Sequence, residues 1–533
     1  MLRLPDPAMA AGGAGLQLAV PERFNFARDV IDARSGPALL HVPAFGPPRP
    51  VSHGELSERS SRLANALLDL GLRPGAHVLV MMGREPDWFV VMLACMKAGL
   101  VAMPGTKLLT AEDVAYRINA AGAEAAIVDH RHCGKIEAIT DEIPGLAYRI
   151  VTGEPVPGWI GLNRLCSHER STPPAVETRA DDTMMVYFTS GTTSRPKMVP
   201  RSHGYALAHL ITAQYWMGLE AGDLHWTLTD TGWAKAAWGM LFGPLLTGAQ
   251  VVVHEPTGRF DAARHLQMLQ DLGVTSFCAP PTVYRLFAQE DLAAYDLSRV
   301  RRALGSGEPL NPEAMRVWRE ATGIEIADGY GQTESICLIG NVKGMPIRPG
   351  SMGRPMPGLD VDVIDEQGNR LAPDTPGHIA VRLTDPWPPG LFTGYLTPDG
   401  PDRRAFRNGW YYTGDTARRD ADGYFWFQGR SDDLILSAGY RISPFEVEST
   451  LLEHPAVAES AVVGVRDATR GQIVRAYVVP AAGHRPDDTL AEALRIFCKA
   501  RTAPYLSPRE IVFVEALPKT VSGKIRRVEL RGG

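Results

Sequence analysis

The chain has 533 residues, and 55 lysines and arginines against 60 aspartates and glutamates give a formal charge of −5. One hydrophobic core usually stops growing near ~250–300 residues, so we expect more than one domain. The mild acidity gives no electrostatic case for nucleic-acid binding. No apolar run reaches the roughly 18 residues that a membrane-spanning helix needs.

The N-terminus and the cysteines bear on the cellular compartment. The first twenty residues carry one arginine and an apolar stretch interrupted by proline and glycine, which makes a poor signal peptide. The six cysteines include no CxxC pair and no zinc-ligand spacing, so we expect reduced, mostly buried thiols. We therefore expect a cytoplasmic protein, with a weak mitochondrial presequence as the alternative.

The first large part of the chain reads as alternating helices and strands. Leucines recur at helical spacing over 56–70, and Gly71 follows as a left-handed cap. A second helical pattern covers 260–273. Short apolar runs are typical of strands buried on both faces, and they occur at 77–82, 123–130, 249–255 and 274–281. This alternation of helices and strands predicts an α/β fold with largely parallel sheets covered by helices.

The pattern of predicted elements changes from about residue 350. Short strands joined by the turn sequences DEQGN and DADG predict a small β-barrel-like subdomain at about 350–430. The last hundred or so residues combine strands at 456–465 and 473–480 with a helix at 488–503, which predicts a separate α+β domain. We therefore divide the chain into an N-terminal domain, 1–431, and a C-terminal domain, 432–533.

The segment YFTSGTTSRPKMV at 187–199 favours phosphate binding. An apolar strand ends there in a run of hydroxyls around one glycine, followed by Lys197, and hydroxyls, backbone N–H groups and an ammonium all bind phosphate oxygens. A Ser/Thr-rich surface turn is the alternative. Lys197 is flanked by Pro196 and Met198, which excludes a Walker A loop. The sequence at 305–310 lacks the last glycine of a Rossmann fingerprint.

Further motifs follow that loop along the chain. They are GSGEPLNPEA at 305–314, DGYGQTE at 328–334, YYTGD at 411–415, GRSDD at 429–433, SAGYRISPFEVE at 437–448 and PKTVSGKI at 518–525. In this order and spacing the set resembles the adenylate-forming superfamily of acyl-CoA synthetases, nonribosomal-peptide adenylation domains and firefly luciferase. PERFNFARDVID, TDTGW and HPAVAESAVVGVRDATRG make the chain most similar to the medium-chain acyl-CoA synthetase group.

The resemblance implies an enzyme with two half-reactions. A small carboxylic acid attacks the α-phosphorus of ATP to give acyl-AMP and pyrophosphate, and CoA then takes the acyl group and releases AMP. ATP, Mg²⁺ and coenzyme A are the implied cofactors and substrates. We expect a monomer or homodimer with no nucleic-acid partner, in which a mobile C-terminal domain reorients between the two steps.

The resemblance also assigns the adenylation site. Lys524, Thr333 and Glu334 are the implied catalytic residues: Lys524 bridges the carboxylate and the α-phosphate, Thr333 binds the α-phosphate, and Glu334 ligates Mg²⁺. Asp415 is the implied ribose clamp, backed by Arg430. The remaining implied ATP or AMP contacts are Thr189, Ser190, Gly191, Thr192, Thr193, Ser194, Arg195, Pro196, Lys197, Gly307, Glu308, Pro309, Asp328, Gly329, Tyr330, Gly331, Gln332 and Arg441.

The second half-reaction uses other residues in the family, and the resemblance carries them over as well. The implied pantetheine channel and CoA contacts are Ser437, Ala438, Gly439, Tyr440, Arg470 and Lys499. Asp432 is the implied hinge. Trp233, Trp238 and Gly239 are the implied acyl-pocket residues, and their apolar character suits an aliphatic acid, medium-chain or branched.

Alternatives remain within and beyond the superfamily. An aryl acid of the benzoate type is the second substrate class. An amino-acid adenylation enzyme would need a carboxylate for the substrate ammonium, and a luciferase-type oxygenase and a catalytically inactive nucleotide-binding module are further readings. The chain departs from the family at Ser194, where the phosphate loop usually has glycine, and this departure leaves the ATP affinity open.

Overall fold

The computed structural model describes residues 4–5, 16, 18–189, 195–307, 312–437, 440–467, 470–519 and 525–531. It confirms the predicted α/β class, because helices cover sheets whose central strands are mostly parallel. The strands are β1 Pro37–His41, β2 Arg49–Ser52, β3 His77–Met81, β4 Val101–Pro104, β5 Ala123–Asp129, β6 Tyr148–Thr152, β7 Ile160–Gly161, β8 Thr183–Thr189, β9 Lys197–Ser202, β10 Leu224–Thr227, β11 Gln250–Val253, β12 Ser276–Ala279, β13 Arg302–Ser306, β14 Ile326–Gly331, β15 Cys337–Gly340, β16 Arg354–Pro355, β17 Val361–Ile364, β18 Gly377–Arg382, β19 Phe406–Arg407, β20 Trp410–Arg419, β21 Phe425–Arg430, β22 Ile435–Ser437, β23 Tyr440–Ile442, β24 Val457–Asp467, β25 Gly471–Pro480 and β26 Glu510–Phe513.

The helices lie between these strands. The α-helices are α1 His53–Asp69, α2 Pro86–Lys97, α3 Ala111–Ala121, α4 Cys133–Glu137, α5 Leu162–Leu165, α6 His203–Ile211, α7 Ala234–Ala236, α8 Gly243–Thr247, α9 Ala262–Leu272, α10 Pro281–Phe287, α11 Pro312–Thr322, α12 Pro444–Leu452, α13 Asp488–Arg501 and α14 Arg527–Arg531. Segments of π-helix span Ala27–Ile31, Thr212–Trp216 and Ala237–Phe242, and 3₁₀ turns span His130–His132, Thr140–Glu142, Leu292–Ala294 and Pro504–Leu506. In the part of the chain that the model describes, none of these helices is long and apolar enough to cross a bilayer.

A seven-stranded sheet carries the hairpin of the predicted phosphate loop. Its order is β7-β6-β5-β3-β4-β8-β9, and all neighbours are parallel except the antiparallel pair β8 and β9. The continuous apolar run of β3 is buried on both faces as expected, because Val78 and Val80 lie in one core cluster and Leu79 and Met81 lie in another. Ser52 caps the start of α1 by accepting from the backbone N–H of Glu55, and Gly71 follows its end with φ 113°.

A nine-stranded sheet carries the other large set of motifs. Its order is β16-β15-β14-β13-β12-β10-β11-β1-β2, with parallel pairing from β14 across to β1 and antiparallel pairing at both edges. The DGYG part of the DGYGQTE motif lies at the carboxyl end of β14. In open α/β sheets ligands bind beyond the carboxyl ends of the strands, which makes this edge the expected site.

An antiparallel sheet of five strands, β17 to β21, occupies the region predicted as a small β subdomain. The DADG hairpin is present between β20 and β21, with Gly423 at φ 84°. The DEQGN turn is also present, but the main partner of β17 is β18, which begins only at Gly377. Pro373 and Pro376 lie in between and lack the N–H that a ladder requires, so the chain pairs later than the turn signal predicts.

The C-terminal part folds around its own sheet and core. Strand order is β23-β22-β25-β24, with β26 parallel to β25, and α12 and α13 cover a separate cluster of buried apolar side chains that includes Leu451, Val474 and Leu494. The six cysteines are free thiols; Cys166 is partly exposed and the other five are buried, as predicted.

Candidate active site

The stem of the predicted phosphate loop is firmly anchored. Thr189 and Lys197 face each other as the last pair of the β8–β9 hairpin. The hydroxyl of Tyr116 donates to the carbonyl of Pro196 at 2.9 Å, and the guanidinium of Arg195 lies 5.2 Å from the centre of the Tyr116 ring. Five predicted loop residues lie outside the described residues, namely Ser190, Gly191, Thr192, Thr193 and Ser194.

Lys197 and Glu334 approach each other through a tyrosine that the sequence did not single out. The Tyr395 hydroxyl donates to the Glu334 carboxylate at 2.8 Å, and the Lys197 ammonium lies 4.7 Å from the centre of the Tyr395 ring. Glu334 is 8% exposed, and Thr333 before it is half-buried. The structure thus brings the phosphate-loop lysine and the predicted metal ligand to one tyrosine, the lysine over its ring and the carboxylate at its hydroxyl.

Asp415 is the centre of a buried hydrogen-bond network. Its Oδ2 accepts from the Tyr330 hydroxyl and from the Gln332 amide, each at 2.6 Å. Its other oxygen, Oδ1, lies 3.4 Å from the guanidinium of Arg430, which is its register partner across β20 and β21. The Tyr411 hydroxyl donates to the side-chain oxygen of Gln332 at 3.0 Å, which fixes the amide orientation. The predicted ribose clamp and its arginine are therefore neighbours.

The residues of the predicted adenine slot lie on adjacent strands. Gly305 and Ser306 of β13 pair with Asp328 and Gly329 of β14, and Gly307 follows at φ 102°. Asp328 is 8% exposed, and burial raises the pKa of its carboxyl to about 7, while the nearby Lys235 opposes this shift. Glu308 and Pro309 lie outside the described residues.

Gly329 is required by packing that the sequence did not reveal. A Cβ at this position would lie 2.4 Å from Cε2 of Trp216, and one at Gly340 would lie 3.0 Å from the same indole. Trp216 is buried and donates from its indole to the carbonyl of Asp328 at 3.0 Å. It also packs edge-on against Trp238 at 5.3 Å between ring centres, so one tryptophan contacts both the adenine-slot motif and a predicted acyl-pocket residue.

The other acyl-pocket candidates lie on the turn and π-helix that follow β10. Trp233 and Trp238 are half-buried. Gly239 lies so close to β10 that a Cβ would be 2.7 Å from the hydroxyl of Thr227. That hydroxyl is 2.7 Å from the imidazole of His225, which is fully buried and has a pKa lowered to about 3 by desolvation.

A charged cleft opens beside TDTGW, and no motif had pointed to it. It has a volume of about 170 Å³ and lies beyond the carboxyl ends of β3, β4, β10 and β11. Glu255 accepts from the backbone and the guanidinium of Arg84 at 2.8 and 3.2 Å and from the ammonium of Lys107. Asp230 also lines the cleft, and burial raises the pKa of its carboxyl.

The predicted hinge and CoA residues are spread over the C-terminal part. The Asp432 carboxylate lies 3.6 Å from the guanidinium of Arg430. Ser437 is buried at the end of β22, while Arg470 and Lys499 are exposed. Ala438, Gly439 and Lys524 lie outside the described residues, and Tyr440 and Arg441 are described only as backbone positions of β23.

Sequence reasoning missed several residues that organise this site. They are Trp216, Lys235, Arg201 and Tyr395. Arg201 is 1% exposed, donates to the carbonyl of Gly390, and stacks its guanidinium 3.6 Å from the centre of the Tyr205 ring. Trp216, Lys235 and Tyr395 could not have been found from a local pattern, because each contacts a partner that is distant in the sequence.

Comparison with known proteins adds independent evidence. The model of the AMP-binding enzyme family matches residues 34–396, and that of the AMP-binding enzyme C-terminal domain matches 446–524. Mitochondrial acyl-coenzyme A synthetase ACSM3 of Mus musculus is 40% identical over 532 residues, which cover 97% of this chain and 91% of that protein. Its human relative ACSM4, also mitochondrial, is 42% identical over 530 residues, which cover 96% and 91%.

The fold has a close solved counterpart. The anthranilate CoA ligase AuaEII in complex with anthranoyl-AMP superimposes with a TM-score of 0.88 at 30% identity, covering 96% of this chain and 98% of that one. The expected cytoplasmic location is wrong, because the curated relatives are named as mitochondrial proteins; cysteine spacing and a weak leader do not distinguish two reducing compartments. With one family model matching over half of its length and 40% identity over nearly all of it, the chain belongs to the AMP-binding enzyme family and is an acyl-CoA synthetase.

Proposed function

We propose that this acyl-CoA synthetase activates a medium-chain or branched aliphatic acid. The observation that carries the assignment of the site is that Lys197 and Glu334 both contact Tyr395. Glu334 follows Tyr330 and Gln332, which donate to Asp415. A cation at the base of a hydroxyl-rich loop and a buried carboxylate suit the two ends of a metal-bound triphosphate.

The first half-reaction joins two anions, so positive charge must offset their repulsion. Lys197 and the hydroxyls of its loop bind the β- and γ-phosphates, and Thr333 binds the α-phosphate. Asp415 accepts from the ribose hydroxyls, with Arg430 holding its orientation. Lys524 bridges the acid and the α-phosphate, where it orients the nucleophile and stabilises the developing charge without transferring a proton.

The residues present fit Mg²⁺ as the metal. The described residues contain no group of three or more histidine, cysteine or acidic side chains that could hold a metal ion by themselves. Mg²⁺ is commonly held by one or two carboxylates together with substrate phosphates, not by an all-protein cage. Glu334 is such a carboxylate, and when bound with ATP the metal supplies charge neutralisation at the phosphates.

For the second half-reaction we propose that 432–533 reorients against 1–431 about Asp432. The movement withdraws Lys524 and brings the segment from Ser437 to Tyr440 to the acyl-adenylate. Gly439 would let the pantetheine arm pass the backbone, because it has no side chain. Arg441, Arg470 and Lys499 would contact phosphates of the nucleotides in one or the other orientation.

An aryl acid is the second candidate substrate. Trp233 and Trp238 offer aromatic surface, and an anthranilate CoA ligase is among the solved structures with the same fold. Aliphatic acids are preferred here because the N-terminal and C-terminal sequence motifs are most similar to the medium-chain group.

A pyrophosphate-release screen tests the proposed function. Medium-chain and branched acids should give pyrophosphate with ATP and Mg²⁺, and acyl-CoA and AMP once CoA is added. Turnover confined to benzoate-type acids would transfer the assignment to the aryl class. Turnover that depends on amino acids, or no turnover with any acid, would overturn it.

Lys524→Ala separates the half-reactions. We expect acyl-adenylate formation to fall by at least a hundredfold, about 3 kcal/mol of transition-state stabilisation. Thioester formation from pre-made acyl-adenylate should stay within about threefold of wild type. Equal loss in both assays would contradict the role given to Lys524.

A further inference from the structure

The segment 390–396 lies between the two halves of the phosphate site and is held from both sides. On one side, Arg201 donates to the carbonyl of Gly390, and Leu396 donates its backbone N–H to the carbonyl of Met198 at 2.9 Å. On the other side, the backbone N–H of Phe392 donates to the carbonyl of Glu334 at 2.9 Å. The segment therefore fixes the β8–β9 hairpin relative to the DGYGQTE motif.

Tyr395 is the side chain through which this segment reaches both charged groups. Its backbone is pinned by paired hydrogen bonds with Asp402 at 2.8 and 3.0 Å, and its ring packs against Phe392 at 4.9 Å between centres. Its hydroxyl donates to Oε1 of Glu334 at 2.8 Å.

The hydrogen bond distinguishes the two oxygens of Glu334. Oε1 accepts from Tyr395 at 2.8 Å, and among the described residues no side chain donates to Oε2. A carboxylate held through one oxygen presents the other in a fixed direction. Outer-shell partners of this kind orient metal ligands, and their loss typically weakens metal affinity about 10–100-fold.

We propose that Tyr395 is a positioning residue for metal–nucleotide binding: its hydroxyl aims the Glu334 carboxylate at the cation, and its ring holds the Lys197 ammonium at the phosphates. The proposal rests on the proposed function, because it takes Glu334 as the metal ligand. The hydroxyl and the ring have separable roles, since Tyr395→Phe deletes the donor and keeps an aromatic face for Lys197.

The test is Mn²⁺ binding to the full-length enzyme in the presence of α,β-methylene-ATP, followed by electron paramagnetic resonance. Tyr395→Phe should weaken Mn²⁺ binding about tenfold. Glu334→Gln should weaken it at least as much, and adding Tyr395→Phe to Glu334→Gln should change it by less than about twofold. A purely structural role of Tyr395 would add its effect in both backgrounds, and that additivity would overturn the proposal.

Tyr424→Phe is the matched control. Tyr424 is buried, its hydroxyl donates to the carbonyl of Pro346 at 2.7 Å, and its ring lies 4.2 Å from the guanidinium of Arg348. Like Tyr395, it has a hydroxyl that donates a hydrogen bond and a ring that faces a cationic side chain, but it does not contact Glu334. Its substitution should leave Mn²⁺ binding unchanged, and an unchanged affinity in Tyr395→Phe as well would also overturn the proposal. Failure of the proposed function would show separately, as wild-type enzyme that releases no pyrophosphate.

Discussion

At the scale of single residues, the site is built from polar groups that would be unfavourable if buried alone. Asp415 is 6% exposed, and its charge is compensated by two donors at 2.6 Å and by the guanidinium of Arg430. Such buried carboxylates are retained because each oxygen has a partner. Asp328 has fewer donors among the described residues: its Oδ1 accepts at 2.8 Å from the backbone N–H of the adjacent Gly329.

Asp328 therefore makes the stability of the protein depend on pH. Its folded pKa is about 7, against an ordinary value of 3.8. Below about pH 4 the carboxyl is protonated in both the folded and the unfolded chain, and its full contribution to stability is present. Between about pH 4 and about pH 7 it is neutral in the folded chain and ionised in the unfolded one, so folding takes up a proton and stability falls as the pH rises. We expect Asp328→Asn to gain roughly 2–3 kcal/mol relative to wild type between about pH 5 and pH 8.

Melting temperatures of both proteins at the two pH values check this expectation. The gap between Asp328→Asn and wild type should shift in favour of the variant at the higher pH. Parallel melting temperatures across the range would mean that the carboxyl is already ionised, stabilised by the nearby Lys235.

Site residues could be predicted from the sequence only where they belong to a recognisable motif. Asp415 and Arg430 stand fifteen positions apart in the chain, and the DADG turn between them foretells that they pair. Trp216 and Gly329 are separated by more than a hundred residues, and nothing in either segment indicates that an indole fills the space of the missing Cβ. Tyr395 was missed for the same reason, because it contacts Lys197 and Glu334, which are both distant from it in the sequence.

At the scale of elements, local patterns predicted the strands well and the unusual helices not at all. The apolar run at 77–82 predicted β3 correctly, because a parallel strand that is buried on both faces has apolar residues at consecutive positions. No local sequence pattern indicates the π-helix Ala237–Phe242. Its backbone hydrogen bonds span one residue more than those of an α-helix, and it lies where Gly239 passes close to Thr227.

The close approach of Gly239 gives a prediction for this element. Gly239→Ala places a methyl 2.7 Å from a hydroxyl that is fixed by His225, so the π-helix must move away from β10. If Trp238 lines the acyl pocket, the pocket narrows and kcat/KM should fall about tenfold or more for the longest acid accepted, with short acids affected least.

Steady-state kinetics over a series of acids measure that change. Gly145→Ala is a suitable control, because a Cβ there meets nothing within 4 Å. A uniform loss over all chain lengths would show that Gly239 serves stability and not the pocket.

At the scale of the whole molecule, the C-terminal sheet and its helices contact the five-stranded sheet near β21. The Ser443 hydroxyl donates to the carbonyl of Gln428, and the rings of Phe427 and Phe445 lie 5.8 Å apart between centres. The chain connection runs past Asp432, whose carboxylate lies 3.6 Å from the guanidinium of Arg430 and whose carbonyl accepts from Arg531 at 3.3 Å. The rotation proposed above would change a few backbone angles near this residue.

Asp432→Pro should restrict that rotation. Proline fixes φ near about −65°, so we expect CoA-thioester formation to slow at least about tenfold while adenylate formation stays within about threefold. Single-turnover measurements of each half-reaction test this. Asp432→Ala is the control, since it removes the ion pair and leaves φ free; equal slowing in both variants would assign the effect to the lost charge.

The buried cysteines allow local opening of the structure to be followed by thiol alkylation. Burial raises the pKa of the Cys95 thiol to about 12 and that of Cys278 to about 11, so the reactive thiolate is scarce as well as shielded. Cys498 lies in α13 and is 1% exposed, with its pKa also raised to about 11. Alkylation at each position must wait for the surrounding core to open. The rates of modification at Cys498 and at Cys278 thus time the opening of the C-terminal and the N-terminal core separately, without any introduced label.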